Sequence, residues 1–281
     1  MNVAVSIEEL RKVTGGAGSI GLVPTMGYLH EGHMSLVEAA AQNDVTIMSI
    51  FVNPLQFTSS EDLAKYPRDL DRDLAMASSA GVDVVFAPSA EEIFPSGHAT
   101  TLDVGRIGEL SEGLHRPGHF NGVATVVAKL FNIIRPDRAY FGKKDAQQLA
   151  VIRQMVKDLD MEGQIVGCPT VRESDGLAMS SRNVHMNPEE RRAAAVLSRA
   201  LFAGCTAAQE GKRSDEVTQI VSGIVKREPL ARLQYVEVVD PVTFERIHRI
   251  AGQANIVLAA FVGSTRLIDN VDVDVGTGQP A

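Results

Sequence analysis

The chain has 281 residues, and its 27 lysine and arginine residues against 35 aspartate and glutamate residues give a net charge of −8. Hydrophobic residues make up 44% and charged residues 22%, which is typical of a globular protein, and no apolar run approaches the ~20 residues that span a membrane. The acidic balance argues against nucleic acid as a partner, because a duplex or a tRNA needs a basic face. We therefore expect neither a nucleic-acid nor a membrane partner.

In the first half of the chain, short apolar runs alternate with stretches of helical periodicity. The pattern predicts a short helix at residues 7–13 and strands at residues 20–23, 45–52, 82–87, 138–141 and 164–167. The clearest helical periodicity lies at residues 122–134 and 146–159. This alternation predicts an α/β fold, a Rossmann-like doubly wound parallel sheet wrapped by helices through right-handed crossovers.

The second part of the chain differs in character. A long helix is predicted to begin near Pro188, and another to cover residues 214–226. Three short strands follow at residues 234–239, 255–261 and 265–268, with a hairpin turn at residues 262–264. We predict a first domain at residues 1–176, a hinge near residues 175–187, a smaller α+β domain at residues 177–281 and a disordered tail at residues 276–281.

The most informative segment is PTMGYLHEGH at residues 24–33, in which His30 and His33 bracket Gly32. A strand is predicted to end just before it, and helical periodicity follows from Met34. The unpaired amides and positive dipole of a helix start stabilise an anion, and imidazoles donate hydrogen bonds to it, so the segment predicts a site for a nucleotide phosphate. The alternative is that the histidines only cap the helix or lie on the surface. A zinc site is disfavoured, because no third ligand lies at a recognisable spacing.

Two further polar segments directly follow predicted strands, Asn53-Pro54-Leu55-Gln56 and Gly142-Lys143-Lys144-Asp145. Ligands of a doubly wound sheet lie at the carboxyl ends of its strands, so we expect these segments and the histidines to converge on one edge. The lysines then reach the same crevice, unless this segment is only a solvated turn. Of Gln147 and Gln148, at least one is expected to face inward, where a neutral amide fixes a hydroxyl or a carboxylate.

Some motifs are misleading. GAGSIG at residues 16–21 matches the dinucleotide fingerprint, but it precedes a strand and follows a helix, so a nicotinamide or flavin site is not expected. No P-loop sequence occurs in the chain, so ATP would have to bind by another route. The acidic run at residues 66–73 suggests either a magnesium site or a solvated helix face, and the alternation of both charge signs favours the solvated face.

The segment MSSRN at residues 179–183 lies in the predicted hinge. A mobile loop there would close over bound phosphates, with Arg182 as a fork-shaped clamp on negative charge. The alternative is a polar linker.

Cys168 and Cys205 are the only cysteines of the chain. Each lies in core-like or helical sequence, which favours reduced thiols over a disulfide framework. Residues 1–10 lack a basic region followed by an apolar stretch, so no secretory signal is predicted. We therefore expect a cytoplasmic protein.

Five motifs occur in a fixed order along the chain. They are PTMGYLHEGH from Pro24, FVNPLQF from Phe51, RPGHFNGV from Arg116, GKKDAQQL from Gly142 and DGLAMSSRN from Asp175. Together they closely resemble the pantothenate synthetase family, and the likeness runs from near residue 20 to Arg266-Leu267-Ile268-Asp269-Asn270. The histidine motif alone indicates only the wider nucleotidyltransferase superfamily that includes class I aminoacyl-tRNA synthetases. That group's second signature, KMSKS, is reduced here to AMSSR at residues 178–182, as in the pantothenate synthetase pattern.

The resemblance implies an ATP-dependent ligase of the nucleotidyltransferase fold type that works in two steps. (R)-pantoate and ATP give pantoyl adenylate and pyrophosphate, and the amine of β-alanine then displaces AMP to form pantothenate. Family members are typically homodimers and need Mg²⁺, whose protein ligands the resemblance leaves open. Two alternatives remain, another adenylyltransferase of the superfamily that acts on a nucleotide or a lipid precursor, and a non-catalytic nucleotide-binding protein.

The resemblance also implies roles for individual residues. ATP would be bound by Met26, Gly27, Tyr28, Leu29, His30, Glu31, Gly32, His33, Gly142, Lys143, Lys144, Asp145, Val171, Met179, Ser180, Ser181 and Arg182. Of these, His33, His30, Lys144 and Arg182 would be catalytic, with His33 as a proton donor to the phosphates. Asn53, Gln56 and Gln148 would bind the pantoate and β-alanine substrates. Such chemistry needs donors and cations and no protein nucleophile, because it depends on positioning and on neutralising charge.

Overall fold

The structure is a computed structural model, and it describes residues 1–276. The chain forms two compact units. The first unit comprises Met1–Glu109, Gly113–Lys143 and Val151–Pro169, and the second comprises Leu110–Glu112, Lys144–Ala150 and the chain from Thr170 onward. The tail predicted at residues 276–281 lies, apart from its first residue, outside the described residues. Within residues 1–276, no helix combines the length and the apolar character that a bilayer crossing requires.

A six-stranded sheet is the centre of the first unit. Its strands are β1 (Asn2–Ala4), β2 (Ile20–Thr25), β3 (Val45–Ile50), β4 (Val84–Phe86), β5 (Arg138–Gly142) and β6 (Gln164–Cys168). All neighbouring strands are parallel, in the order β1-β4-β3-β2-β5-β6. The chain winds from β2 through β3 to β4 and then returns to place β5 on the other side of β2, so the topological switch point lies between β2 and β5. The predicted Rossmann-like sheet is confirmed.

Helices connect these strands. They are α1 (Ile7–Thr14), α2 (Glu31–Ala40), α3 (Ser60–Lys65), α4 (Leu70–Ser79), α5 (Ala90–Ile93), α6 (Glu112–His115), α7 (His119–Ile134) and α8 (Ala146–Asp158). One apolar cluster of the first unit includes Val23, Leu36 and Met48. Tyr140 of β5 is fully buried in this cluster, and its hydroxyl accepts a hydrogen bond from Asn43 at 2.8 Å. The buried polar end of the tyrosine is therefore satisfied.

Helices and an antiparallel sheet make up most of the second unit. The helices are α9 (Pro188–Ala194), α10 (Val196–Gln209) and α11 (Ser214–Val225), and the strands are β7 (Ala231–Val239), β8 (Gln253–Val262) and β9 (Thr265–Asp274). The strands pair in chain order, and a tight turn at Gly263, where φ is 56°, joins β8 to β9. The apolar core of this unit includes Leu197, Val217, Ile256 and Leu258. The predicted α+β character and the hairpin are confirmed.

Three of the differences between the structure and the predicted elements have a clear physical reason. β1 was not predicted, because it has three residues of which only Ala4 is buried, too few to show a period. The helix predicted from Pro188 is divided at Ala195, whose carbonyl accepts a hydrogen bond from the Ser198 hydroxyl at 3.1 Å in competition with the helix. β9 continues to Asp274, past its predicted end at residue 268, because the side chains of Asp269, Asn270 and Asp272 are hydrogen-bonded within the protein.

Candidate active site

In the first unit, a polar segment follows the carboxyl end of each of three neighbouring strands. β3, β2 and β5 lie side by side and run parallel. Residues 26–33 follow β2, residues 53–56 follow β3, and Gly142 is the last residue of β5, with Lys143 directly after it. The expected convergence of these segments on one edge of the sheet is confirmed. The glycine-rich residues 16–21 follow α1 and include the first two residues of β2, as their sequence context indicated.

A strained loop connects β2 to α2. Gly27 and Tyr28 have φ values of 81° and 50°, a left-handed conformation that side chains other than glycine rarely adopt. The Asp73 carboxylate holds this loop, since Oδ2 accepts from the Tyr28 N–H and Oδ1 from the Leu29 N–H, both at 2.7 Å. Arg72 donates to the Leu29 carbonyl at 2.9 Å and stacks over the Tyr28 ring at 5.0 Å. Met26 within this loop is half-buried and Leu29 is buried.

The favoured interpretation of residues 66–73 as a solvated helix face is wrong for Asp73. Only 1% of the surface of Asp73 is exposed, although it lies in α4 among charged neighbours. A buried carboxylate needs hydrogen-bond donors, and two backbone N–H groups of the loop supply them. The sequence does not distinguish Asp73 from its charged neighbours, because its donors are backbone groups 44 and 45 residues away.

The two histidines cap α2 reciprocally. The His30 Nδ1 accepts from the Gly32 N–H at 3.1 Å, and the His33 Nδ1 accepts from the His30 N–H at 3.3 Å. The ring centroids lie 4.1 Å apart. A nitrogen that accepts a hydrogen bond carries no proton, so in each neutral imidazole the proton is on Nε2, which is then a donor. The histidines therefore cap the helix through Nδ1, which makes Nε2 the donor nitrogen of each ring, and Glu31 between them is exposed.

The buried amides of Asn53 and Gln56 form a network after β3. The Asn53 Nδ2 donates to the Gln56 Oε1 at 2.9 Å and to the Gly122 carbonyl at 3.1 Å. The backbone carbonyl of Gln56 accepts a hydrogen bond from the His119 Nδ1 at 2.7 Å. Gly122 and His119 belong to α7, so the RPGHFNGV motif holds Gln56 in place. Sequence analysis missed this supporting role.

Close approach of backbone to backbone explains the glycine at position 122. A Cβ at this position would lie 2.2 Å from the Leu55 carbonyl oxygen and 2.8 Å from the Gln56 nitrogen. Neither atom belongs to a flexible side chain, so a larger residue would displace the turn that carries Gln56.

Lys144 lies in a 3₁₀ turn, Lys143–Asp145, at the start of the second unit's stretch Lys144–Ala150. Its side chain is 17% exposed, and its ammonium lies 3.4 Å from the Asp145 Oδ1. The phosphate contact expected of Lys144 stays a prediction.

The two glutamines of α8 have different surroundings. Gln147 is buried, donates to the Leu110 carbonyl at 2.7 Å and accepts from the Glu112 N–H at 2.9 Å. The prediction of an inward-facing glutamine is confirmed for Gln147, which binds the chain itself. Gln148 is half-buried.

A short hairpin at residues 171–179 lies in the second unit. The Met179 N–H donates to the Val171 carbonyl at 3.0 Å, and Arg172 pairs with Ala178 in an isolated antiparallel bridge. Val171 and Met179, both half-buried, therefore lie side by side. Ser180 follows and caps a 3₁₀ turn (Ser181–His185), its hydroxyl accepting from the Arg182 N–H at 3.3 Å. Closure of this segment over a ligand stays a prediction.

The described part of the chain contains neither a cluster of metal ligands nor a disulfide. Across residues 1–276, no group of three or more His, Cys, Asp or Glu side chains is arranged to hold a metal ion. Cys168 and Cys205 form no disulfide, and burial raises the pKa of the Cys168 thiol. The Cys168 thiol is therefore mostly protonated and a poor nucleophile at neutral pH.

Comparison with known proteins gives consistent matches along the chain. The family model described as pantoate-beta-alanine ligase matches residues 2–272. The pantothenate synthetase of Caldicellulosiruptor bescii is 52% identical over 280 residues, which cover 98% of this chain and 99% of that protein. The pantothenate synthetase of Carboxydothermus hydrogenoformans is 56% identical over 259 residues, covering 91% of this chain and 92% of that protein.

Solved structures are similar over the same length. The crystal structure of pantothenate synthetase from Thermus thermophilus matches with a TM-score of 0.93 at 48% identity, covering 96% of this chain and 99% of that one. The pantoate-beta-alanine ligase from Francisella tularensis, complexed with beta-gamma ATP and beta-alanine, matches with a TM-score of 0.81 at 36% identity, covering 96% and 97%. The likeness therefore extends over the strands of both sheets.

Proposed function

The chain belongs to the pantoate-beta-alanine ligase family, and from this premise we propose how its residues carry out the reaction. The enzyme condenses pantoate with β-alanine to pantothenate, with ATP as the second substrate. Among the residues themselves, the orientation of His30 and His33 carries the proposal. Both imidazoles accept backbone N–H groups at Nδ1 and thus donate from Nε2 at a helix start.

In the first step, a carboxylate oxygen of pantoate attacks the α-phosphorus of ATP. The bond between that phosphorus and the oxygen that bridges to the β-phosphorus breaks, so pyrophosphate leaves and pantoyl adenylate remains. We assign the Nε2–H groups of His30 and His33 to the ATP phosphates, where negative charge develops, with His33 as proton donor. Donors held rigidly before the reaction stabilise such charge without a reorganisation cost.

Two cations are proposed to stabilise this negative charge as well. The Lys144 ammonium contacts phosphate, and Arg182 clamps the nucleotide when its segment closes. Further ATP contacts are proposed for Met26, Gly27, Tyr28, Leu29, Glu31, Gly32, Gly142, Lys143, Asp145, Val171, Met179, Ser180 and Ser181, with Val171 against adenine. We propose that Mg²⁺ arrives on the ATP phosphates, because this ion is commonly held by substrate phosphates with one or two carboxylates.

In the second step, the amine nitrogen of β-alanine attacks the carbonyl carbon of the adenylate. The bond from that carbon to the phosphate oxygen breaks, AMP leaves with the electron pair, and the amide of pantothenate forms, with the departing phosphate proposed to take the proton that the amine loses. We propose that Gln56 and Gln148 hold pantoate, that Gln56 also lies near β-alanine, and that Asn53 fixes the Gln56 amide through the bond to its Oε1. Neutral amides suit a small polar acid, because they bind its oxygens without added charge.

We also propose that the enzyme is a cytoplasmic homodimer in which the domain from residue 177 onward closes over the nucleotide. The family resemblance supports the dimer and the closing domain. The unpaired cysteines support a reducing compartment.

Asp73→Asn is expected to lower the free energy of unfolding by about 2 kcal/mol and to weaken ATP binding about tenfold. The amide keeps one acceptor, but its NH₂ group faces a backbone N–H of the strained loop. Denaturant unfolding and calorimetric titration with ATP measure the two effects. Asp71→Asn on the exposed face of the same helix is the matched control, and equal behaviour of the two variants would contradict the anchoring role.

Gly122→Ala is expected to raise the KM for pantoate about tenfold, because the new Cβ displaces the backbone of Leu55 and Gln56. Overpacking of this kind also costs about 1–3 kcal/mol of stability. Calorimetric ATP affinity should stay within about twofold of wild type, since α2 is untouched. Gly223→Ala is the control, because its Cβ would meet nothing within 4 Å. An unchanged KM for pantoate would argue against Gln56 as a pantoate contact.

The direct test of the function is product analysis with ATP, Mg²⁺, (R)-pantoate and β-alanine. Pantothenate, AMP and pyrophosphate should form in equal amounts, and omission of either organic substrate should prevent pantothenate formation. Pyrophosphate release that depends on another acceptor, with none on pantoate, would indicate a different adenylyltransferase. ATP binding without turnover on any of these substrates would indicate a non-catalytic nucleotide-binding protein.

A further inference from the structure

The motif Arg266-Leu267-Ile268-Asp269-Asn270 is part of the family resemblance, yet none of its residues is among the proposed substrate contacts. It lies on β9 in the second unit. Asp269 is 3% exposed and Asn270 is 5% exposed. A carboxylate and an amide buried side by side in a strand cost free energy unless each is paired, so their partners indicate what they do.

Asp269 fastens the hairpin at residues 171–179 to β9. Its Oδ2 accepts from the Arg172 Nη1 at 2.7 Å and its Oδ1 from the Arg172 Nη2 at 3.0 Å. Arg172 also donates to the Asn270 carbonyl at 3.0 Å and to the Gly176 carbonyl at 3.1 Å. Four hydrogen bonds thus fix the orientation of the Arg172 guanidinium. Its bidentate pair with the Asp269 carboxylate is both stronger and geometrically more specific than a single hydrogen bond.

Asn270 holds a different segment, the turn that carries Lys144. The Asn270 Nδ2 donates to the Lys144 carbonyl at 2.7 Å. Asn255 of β8 fixes the orientation of this amide, because its Nδ2 donates to the Asn270 Oδ1 at 3.2 Å and to the Asp272 Oδ1 at 2.7 Å. An amide whose oxygen is bound in this way turns its NH₂ group toward the Lys144 carbonyl.

We infer that Asp269 and Asn270 are positioning residues that set the spacing between the two nucleotide-binding segments of the second unit. Asp269 fixes the hairpin whose ends are Val171 and Met179, and Asn270 fixes the backbone of Lys144. Successive side chains of a strand point to opposite faces, so two adjacent residues reach one segment each. The inference rests on the proposed function, because it takes these segments as contacts to adenine and phosphate of one ATP molecule.

Calorimetric titration of full-length Asn270→Ala with ATP and, separately, with pantoate tests the inference. ATP binding should weaken at least about tenfold, because a displaced Lys144 no longer meets the phosphates while the hairpin holds adenine. Pantoate affinity should fall clearly less than ATP affinity, since of its two proposed contacts Gln56 lies in the first unit and only Gln148 lies in the stretch Lys144–Ala150. Asp269→Asn should weaken ATP binding in the same selective way. If Asn270→Ala does not fold, Asn270→Ser removes the same contact with a smaller change of volume.

The matched control is Val273→Ala, on the same strand and buried in the apolar core. It should lower the melting temperature and leave the Kd for ATP unchanged.

ATP affinities of the Asp269 and Asn270 variants equal to wild type would overturn the inference and leave the proposed function standing. Equal weakening of ATP and pantoate binding, in proportion to melting temperature, would show a merely structural role. A wild-type protein that does not bind ATP would overturn the proposed function and this inference with it.

Discussion

His33→Asn is expected to slow pantoyl adenylate formation about 10²- to 10³-fold while leaving the start of α2 folded. The asparagine Oδ1 is as many bonds from Cα as the imidazole Nδ1, so the hydrogen bond from the His30 N–H is kept. The variant lacks Nε2–H, the donor that we assign to the ATP phosphates. The rate is measured as pantoate-dependent pyrophosphate release in a single turnover.

His33→Gln is the matched partner of this variant. Its amide N–H reaches toward the position of Nε2, but it has no acceptor at the position of Nδ1, so the cap is lost at a cost of about 1 kcal/mol. The glutamine variant should therefore melt lower and react faster than the asparagine variant. An asparagine variant as fast as wild type would contradict the donor role, and a glutamine variant slower than asparagine would show that the cap matters more than the donor.

Lys144→Met is expected to lower kcat/KM for ATP about 10²-fold or more. The ammonium is the charge that we assign to phosphate, and methionine keeps much of the stem and its packing without that charge. The Asn270 bond to the Lys144 carbonyl does not depend on the side chain, so the turn should stay in place. Steady-state kinetics at saturating pantoate and β-alanine, with ATP varied, measure the effect.

Two variants control for charge alone. Lys144→Arg keeps a cation and should recover part of the lost rate. Lys157→Met removes an exposed lysine from the last turn of α8 and should behave as wild type. If Lys157→Met lost as much kcat/KM as Lys144→Met, the loss would reflect overall charge and not a specific phosphate contact.

The alternating strands and helices of the first unit were predictable, because a parallel strand buried on both faces is read as a continuous apolar run. The candidate site was predictable for a related reason. Polar segments that directly follow such strands must lie at one edge of the sheet, and the segments after β2, β3 and β5 do. The two interpretations of His30 and His33, cap and anion site, are compatible, because each ring caps the helix through Nδ1 and the anion contact is proposed for the other ring nitrogen.

What could not be predicted depends on partners distant along the chain. The Asp73 carboxylate binds backbone N–H groups 44 and 45 residues away. Every residue except proline has such a group, so the sequence does not show which of them binds the carboxylate. The last strand was predicted to end at residue 268, before Asp269 and Asn270, because charged and amide side chains are rare in buried strands. Their partners, Arg172 and the Lys144 carbonyl, are 97 and 126 residues away. Alternating charge and strand propensity describe local preference, and tertiary pairing overrides it at these positions.

The central claim is that this chain activates pantoate as an adenylate before β-alanine takes part. Rapid-quench measurement of pyrophosphate with enzyme, ATP, Mg²⁺ and (R)-pantoate, without β-alanine, tests it most directly. We predict a burst of about one pyrophosphate per active site, followed by multiple turnovers and AMP release once β-alanine is added. No pyrophosphate until β-alanine is present, or ADP in place of AMP, would contradict the adenylate mechanism.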